Sequence, residues 1–171
     1  LSFVASNKEK GSELPPQWYK EIDGKRILRL LLCVGLNGTG KSKMFSALNY
    51  LRMIVVSKPK NPTDKPEYRP FLLDDDSRQR PTVLALTYYV DDVCYLYRVA
   101  VSADRVEDEE LRIVTGNVPV YNRSYNADKD TVSIKYGAGC DLTKADQRML
   151  EANVIQNATV MSVFGALNLG S

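Results

Sequence analysis

The 171-residue sequence contains no histidine. That excludes a Ser-His triad, a histidine-ligated zinc and a histidine general base. Its three cysteines, Cys33, Cys94 and Cys140, are widely spaced, with no CxxC pair of the kind metal sites use. Reduced thiols in a cytoplasmic protein are the simplest reading. Long apolar runs are missing too: the stretch 30–35 is far too short to span a bilayer, so no membrane partner is expected. The N-terminus lacks a basic-then-apolar leader pattern, so the sequons at Asn122 and Asn157 carry little weight. A net charge of +2 is too small to argue for nucleic acid.

What remains is the composition of an ordinary globular chain, 44% apolar and 26% charged, long enough for one domain with a sizeable core. The first residue is Leu1, which fits a piece of a longer protein. "LSFVAS" (1–6) alternates as a short strand does, and 7–26 reads as a polar connection with a turn at Asp23-Gly24. "RILRLLLCV" (26–34) predicts a buried strand of a largely parallel sheet.

From Lys41 a helical stripe follows, through Met44, Leu48, Leu51 and Val55, widened by Phe45, Ala47 and Ile54. Four prolines then mark an exposed loop over 58–80. "TVLALTYYV" (82–90) and "VCYLYRVAV" (93–101) predict an antiparallel hairpin about Asp91-Asp92, with further strands at 111–115 and 131–136. The acidic run 107–110 reads as a solvated hairpin end. Helices are expected over 143–155, with Thr143 and Asp146 as a capping box, and over 158–168, capped by Asn157.

One stretch carries chemistry. Gly35-Leu36-Asn37-Gly38-Thr39-Gly40-Lys41-Ser42 matches GxxxxGK[ST] in full. Glycines let the backbone approach a phosphate chain and adopt conformations that a side chain forbids. The amides of Gly38 to Ser42 then turn toward the anion, reinforced by the positive end of the following helix. Lys41 would reach the β- and γ-phosphate oxygens, and the Ser42 hydroxyl would ligate Mg²⁺.

With its flanks, "GLNGTGKSKMFSALNYL" resembles the Walker A segment of AAA/ABC-type ATP-binding proteins, the group related to RecF, SMC heads and OLD-type ATPases. Residues 69–113 resemble the antiparallel β-subdomain that follows in that family, and "NATVMSVFGALN" its next helical segment. Lys43 departs from the family, where asparagine is common. The resemblance implies an α/β P-loop NTPase fold, like lobe I of an ABC-type head. Residues 1–171 would then form a single N-terminal ATP-binding lobe, with a β-subdomain over 82–136 and a helical segment over 143–168. It also implies ATP and Mg²⁺ as cofactors and a parent hydrolase in which ATP joins two heads as a homodimer. DNA or a nuclease partner follows by family analogy alone.

The catalytic half looks absent. A Walker B strand should supply an acid for Mg²⁺ and a glutamate to polarise water. The nearest stretch, "PFLLDDD" (70–76), has few apolar residues and lies in a charged loop. No Ser-Gly-Gly-type signature follows, so the chain alone is expected to be inactive. A rival reading takes "LTKAD" (142–146) as the base-reading loop of a small GTPase, but no DxxG lies between it and Lys41. A third makes the chain a non-hydrolysing, ATP-dependent interaction module. Trp18 and Tyr19 are hairpin or core aromatics, or rings that stack on adenine as upstream aromatics do in ABC-type heads.

Overall fold

Two tight turns set the first-order geometry. Asp23-Gly24 and Asp91-Asp92 all take positive φ, between 47° and 68°, the backbone of a two-residue hairpin turn whose twist matches the strands it joins. The computed structural model describes residues 2–5, 14–66 and 80–169. The fold is mixed α/β, and every strand pairing among the described residues is antiparallel. The chain divides into two units, 1–45 and 46–171.

In the first unit, strands β1 (Tyr19–Ile22) and β2 (Lys25–Leu28) form a hairpin about Asp23-Gly24. Residues 3–5 run beside β2: Ala5 donates its N–H to the Arg26 carbonyl at 2.9 Å, and Leu28 donates to Phe3 at 2.8 Å. The polar connection expected over 7–26 therefore contains a strand. The buried strand expected over 26–34 is corrected: pairing stops at Leu28. Beyond it Leu30, Leu32 and Val34 are 78%, 80% and 82% exposed. An apolar run becomes a buried strand only when neighbours pair its backbone and cover its faces, and no described strand lies beside 29–34.

The second unit holds a five-stranded meander in the order β3-β4-β5-β6-β7. Its strands are β3 (Thr82–Val90), β4 (Val93–Val101), β5 (Val106–Ile113), β6 (Val118–Asn126) and β7 (Thr131–Tyr136). Register places two rows on the inner face, Leu84–Val99–Glu109–Arg123–Ile134 and Leu86–Tyr97–Leu111–Tyr121–Tyr136. Three helices are described: α1 (Lys41–Val56), α2 (Lys144–Asn153) and α3 (Val160–Leu167). Leu51 of α1, Leu150 of α2, and Val160 and Val163 of α3 join Tyr97, Val99, Val101 and Leu111 in one core. Each such aliphatic side chain contributes about 1.5–3 kcal/mol by leaving water. Phe45 and Leu48, expected on the buried stripe of α1, are exposed.

The acidic run 107–110 is the largest correction. It lies inside β5, and Glu109 is fully buried on the inner face. Its carboxylate accepts from the Val160 amide at 2.7 Å and the Met161 amide at 3.3 Å, and from the hydroxyls of Tyr121 at 2.8 Å and Tyr97 at 3.0 Å. Arg123, directly opposite in register and also fully buried, donates to the Val106 carbonyl and, at 2.8 Å, to that of Gln156. The Asn157 amide group donates to the Asn61 carbonyl at 2.9 Å, while Thr159 caps α3 in the place expected for Asn157.

Burial pushes the Glu109 carboxyl up from the usual glutamate range, against the pull of its four donors. A raised carboxyl in the folded state means that folding favours the protonated form. Its contribution to stability is thus greatest at pH below the ordinary glutamate value and declines as pH rises through the raised one. In Glu109→Gln the carbonyl oxygen keeps one set of donors, and the amide group meets the Val160 N–H instead of accepting from it. The variant should lose about 1–3 kcal/mol, by a margin that narrows from acidic to neutral pH. Urea unfolding of both proteins across that range measures it; parallel pH profiles would refute the role given to this carboxyl.

Candidate functional site

The residues matching the phosphate-loop pattern lie in an exposed turn that runs directly into α1. Gly38 and Gly40 take φ of 85° and 91°, a region where other residues are strained. The loop closes on itself: the Thr39 hydroxyl donates to the Leu36 carbonyl at 2.8 Å. A Cβ on Gly35 would come within 2.9 Å of that hydroxyl oxygen, which would have to turn aside, whereas Gly38 and Gly40 are held to glycine by torsion.

Lys41 opens α1 and folds back over the loop, its ammonium donating to the carbonyls of Gly35 at 2.6 Å and Leu36 at 2.7 Å. The first backbone bond across the junction runs from the Met44 amide to the Gly40 carbonyl at 3.1 Å. The amides of the helix's first turn therefore have no partner within the helix itself. That turn contains no acidic residue and carries Lys41 and Lys43. Ser42, exposed, follows Lys41 in the same turn.

The chemistry of this donor set fits a polyphosphate with its divalent cation. Mg²⁺ needs few protein ligands, because phosphate oxygens and water fill the rest of its octahedron, so one serine hydroxyl is an adequate protein contribution. Among the described residues no group of three or more histidines, cysteines or carboxylates could hold a metal by itself. The acidic stretch 70–76 lies outside the described residues.

Trp18 ends a short 3₁₀ turn (Pro16–Trp18) in the same unit as the loop, and the residue is 57% exposed. Tyr19 is placed in the hairpin, with the Arg26 guanidinium 5.7 Å from its ring centre. Thr143 and Asp146 form a reciprocal cap on α2. The Asp146 amide donates to the Thr143 hydroxyl oxygen at 3.2 Å, and that hydroxyl donates to the Asp146 carboxylate at 2.6 Å. In the second unit a recess of about 420 Å³ lies under the sheet, walled by Tyr88, Tyr95, Tyr136, Met161 and Phe164. Asp141 is its charged lining residue, so it offers nothing to hold a phosphate.

The buried pair Glu109 and Arg123 was missed by sequence reasoning, although a signal existed. Glu109, Leu111 and Ile113 recur with period two, which places the glutamate on the apolar face. No family model, curated protein or solved structure matches this chain. No helix among the described residues is long and apolar enough to cross a membrane.

Since Thr143 and Asp146 act as a cap, Thr143→Ala should cost about 1 kcal/mol of stability and leave nucleotide binding and base preference unchanged. Thermal unfolding with and without MgATP or MgGTP reads both effects. A change of base preference without loss of stability would point to base reading instead.

Proposed function

We propose that this chain binds MgATP through Gly35–Ser42 as the nucleotide-holding part of a larger AAA/ABC-type ATPase with a P-loop NTPase fold. The observation that carries the reading is the loop itself. Two positive-φ glycines lead into a helix start whose ammonium, Lys41, already lies over the loop and whose first turn holds cations instead of an acid. Amides of the loop and first turn would hold the α- and β-phosphate oxygens, Lys41 would take the β- and γ-oxygens, and Ser42 would hold the metal. Mg²⁺ supplies charge neutralisation between those phosphates. The ring of exposed Trp18 offers a face for adenine.

Lys43 opposes the helix dipole, a cost that a neighbouring triphosphate offsets. The residues that would polarise water and contact the γ-phosphate from across a dimer of heads are not among those assigned. The chain is therefore proposed to hold the nucleotide and to hydrolyse it only with residues supplied from elsewhere in the parent protein.

Calorimetric titration of MgATP and MgGTP into the chain tests this. ATP should bind in preference to GTP, and Lys41→Ala should weaken binding by roughly ten- to a hundredfold, as expected for losing a hydrogen bond to a charged group. Phosphate release from the same samples should be negligible. Preference for GTP, or ATP binding indifferent to Lys41→Ala, would overturn the reading.

A further inference from the structure

The recess of the second unit takes its shape from the loop after β7. There the Gly139 amide donates to the Pro119 carbonyl at 2.9 Å. A Cβ on Gly139 would meet Ile113 Cδ1 and Val120 Cγ2 at 3.3 Å, so the loop rests directly on β5 and β6. Ile113 faces Tyr95 in register, and Tyr95 faces Tyr88. Adjacent strands lie about 4.7–4.9 Å apart, and the loop that holds Asp141 thus crosses the sheet as far as the strand beside Tyr95. Asp141, Tyr88 and Tyr95 all line the recess, as does Tyr136 from β7.

This wall carries negative charge without a cation. The Tyr88 and Tyr95 rings stack with centres 5.7 Å apart, and neither hydroxyl has a hydrogen-bond partner among the described residues. The exposed Asp141 carboxylate has no ion-pair or hydrogen-bond partner among them either. The Tyr136 hydroxyl donates to the Gln147 carbonyl at 3.1 Å. Burial, then the Glu151 carboxylate and the Cys140 thiol, push that hydroxyl up to about 12, which places a second negative charge near this wall. Among the described residues no lysine or arginine lines the recess, and Met161 and Phe164 of α3 form its apolar side.

We propose that this recess binds a protonated amine carried on an apolar group, its ammonium held by Asp141 and the tyrosines and its apolar body against Met161 and Phe164. Ammonium N–H groups donate to the carboxylate and to the phenol oxygens, and tyrosine ring faces attract the same charge. The volume of about 420 Å³ falls in the range of about 300–1,000 Å³ that holds small molecules, so a body fits beyond the charged head. An anionic head would meet like charge with nothing to offset it.

The site lies within the second unit and is independent of the nucleotide reading. Phenethylamine, phenethyl alcohol and phenylacetate share one apolar body and differ in the charge of the head. Titrated into the full chain and followed by NMR, the amine should bind about tenfold more tightly than the alcohol, and the anion most weakly. The chain's net charge of +2 opposes a cation overall, so this preference has to be local. Asp141→Asn should weaken the amine about three- to fivefold and leave the alcohol unchanged, which also shows that the variant folds. Asp128→Asn removes the same charge from the exposed turn between β6 and β7 and should change neither. Amides of Gly139, Asp141 and Met161 should shift on titration, and those of Gly35 to Ser42 should not. Equal binding of amine and alcohol, preference for the anion, no binding of any probe, equal effects of the two substitutions, or shifts centred away from residues 139–142 would each overturn the proposal.

Discussion

The second unit depends on how it solves one problem, the crossing of irregular backbone through its core. Residues 154–159 join α2 to α3 beneath the sheet and place Val154 and Ala158 in the core. Burying chain there also buries amides and carbonyls that backbone partners satisfy only in part, as the Val106 amide does for the Gln156 carbonyl at 3.0 Å, each worth about 1–3 kcal/mol if left alone. The solution uses one anion and one cation from adjacent strands. Glu109 takes the amides of Val160 and Met161, at the positive end of α3, and Arg123 takes the carbonyls of Gln156 and Val106. An apolar residue at 109 would leave the Val160 and Met161 amides without this acceptor. One at 123 would remove the donor to the Val106 carbonyl, while the Gln156 carbonyl would keep the Val106 amide at 3.0 Å.

The same pair fixes register. Shifting β5 or β6 by one residue would turn Glu109 and Arg123 to the outer face and bring Asp108 or Ser124 inward. Neither of those could reach the segment after α2 with the same geometry. Charge burial that looks costly in isolation thus specifies which strand residues face the helices. Tyr97 and Tyr121, flanking Leu111 on the next row, add two hydroxyl donors to the carboxylate.

Sequence pattern revealed the parts whose causes are local. The β3–β4 hairpin combines β-branched runs with a two-residue turn, and α2 carries its own capping box, so both were legible. Strand β6 was not, because Pro119, Asn122, Arg123, Ser124 and Asn126 dilute its alternation, and what makes it a strand is pairing on both sides. Glu109 was misread because an acidic run ordinarily means solvent; only its partners, more than fifty residues away at Val160 and Met161, make burial tolerable. The run 26–34 failed in the opposite sense. Its apolarity signals a need for cover but does not provide it.

The three helix starts make the electrostatic argument for the loop without reference to any other protein. The N-terminus of α2 has Thr143 and Asp146, and that of α3 has Thr159 and the Glu109 carboxylate. In both, oxygen atoms meet the free amides and the positive end of the dipole. The start of α1 has the reverse, two lysines and no acid, preceded by glycines whose torsions keep the approach to its amides open. Acceptors thus stand at two of these helix starts and cations at the third, a contrast that supports the proposed anion site. The spacing of Gly35, Gly40, Lys41 and Ser42 is what makes a polyphosphate the anion proposed for it.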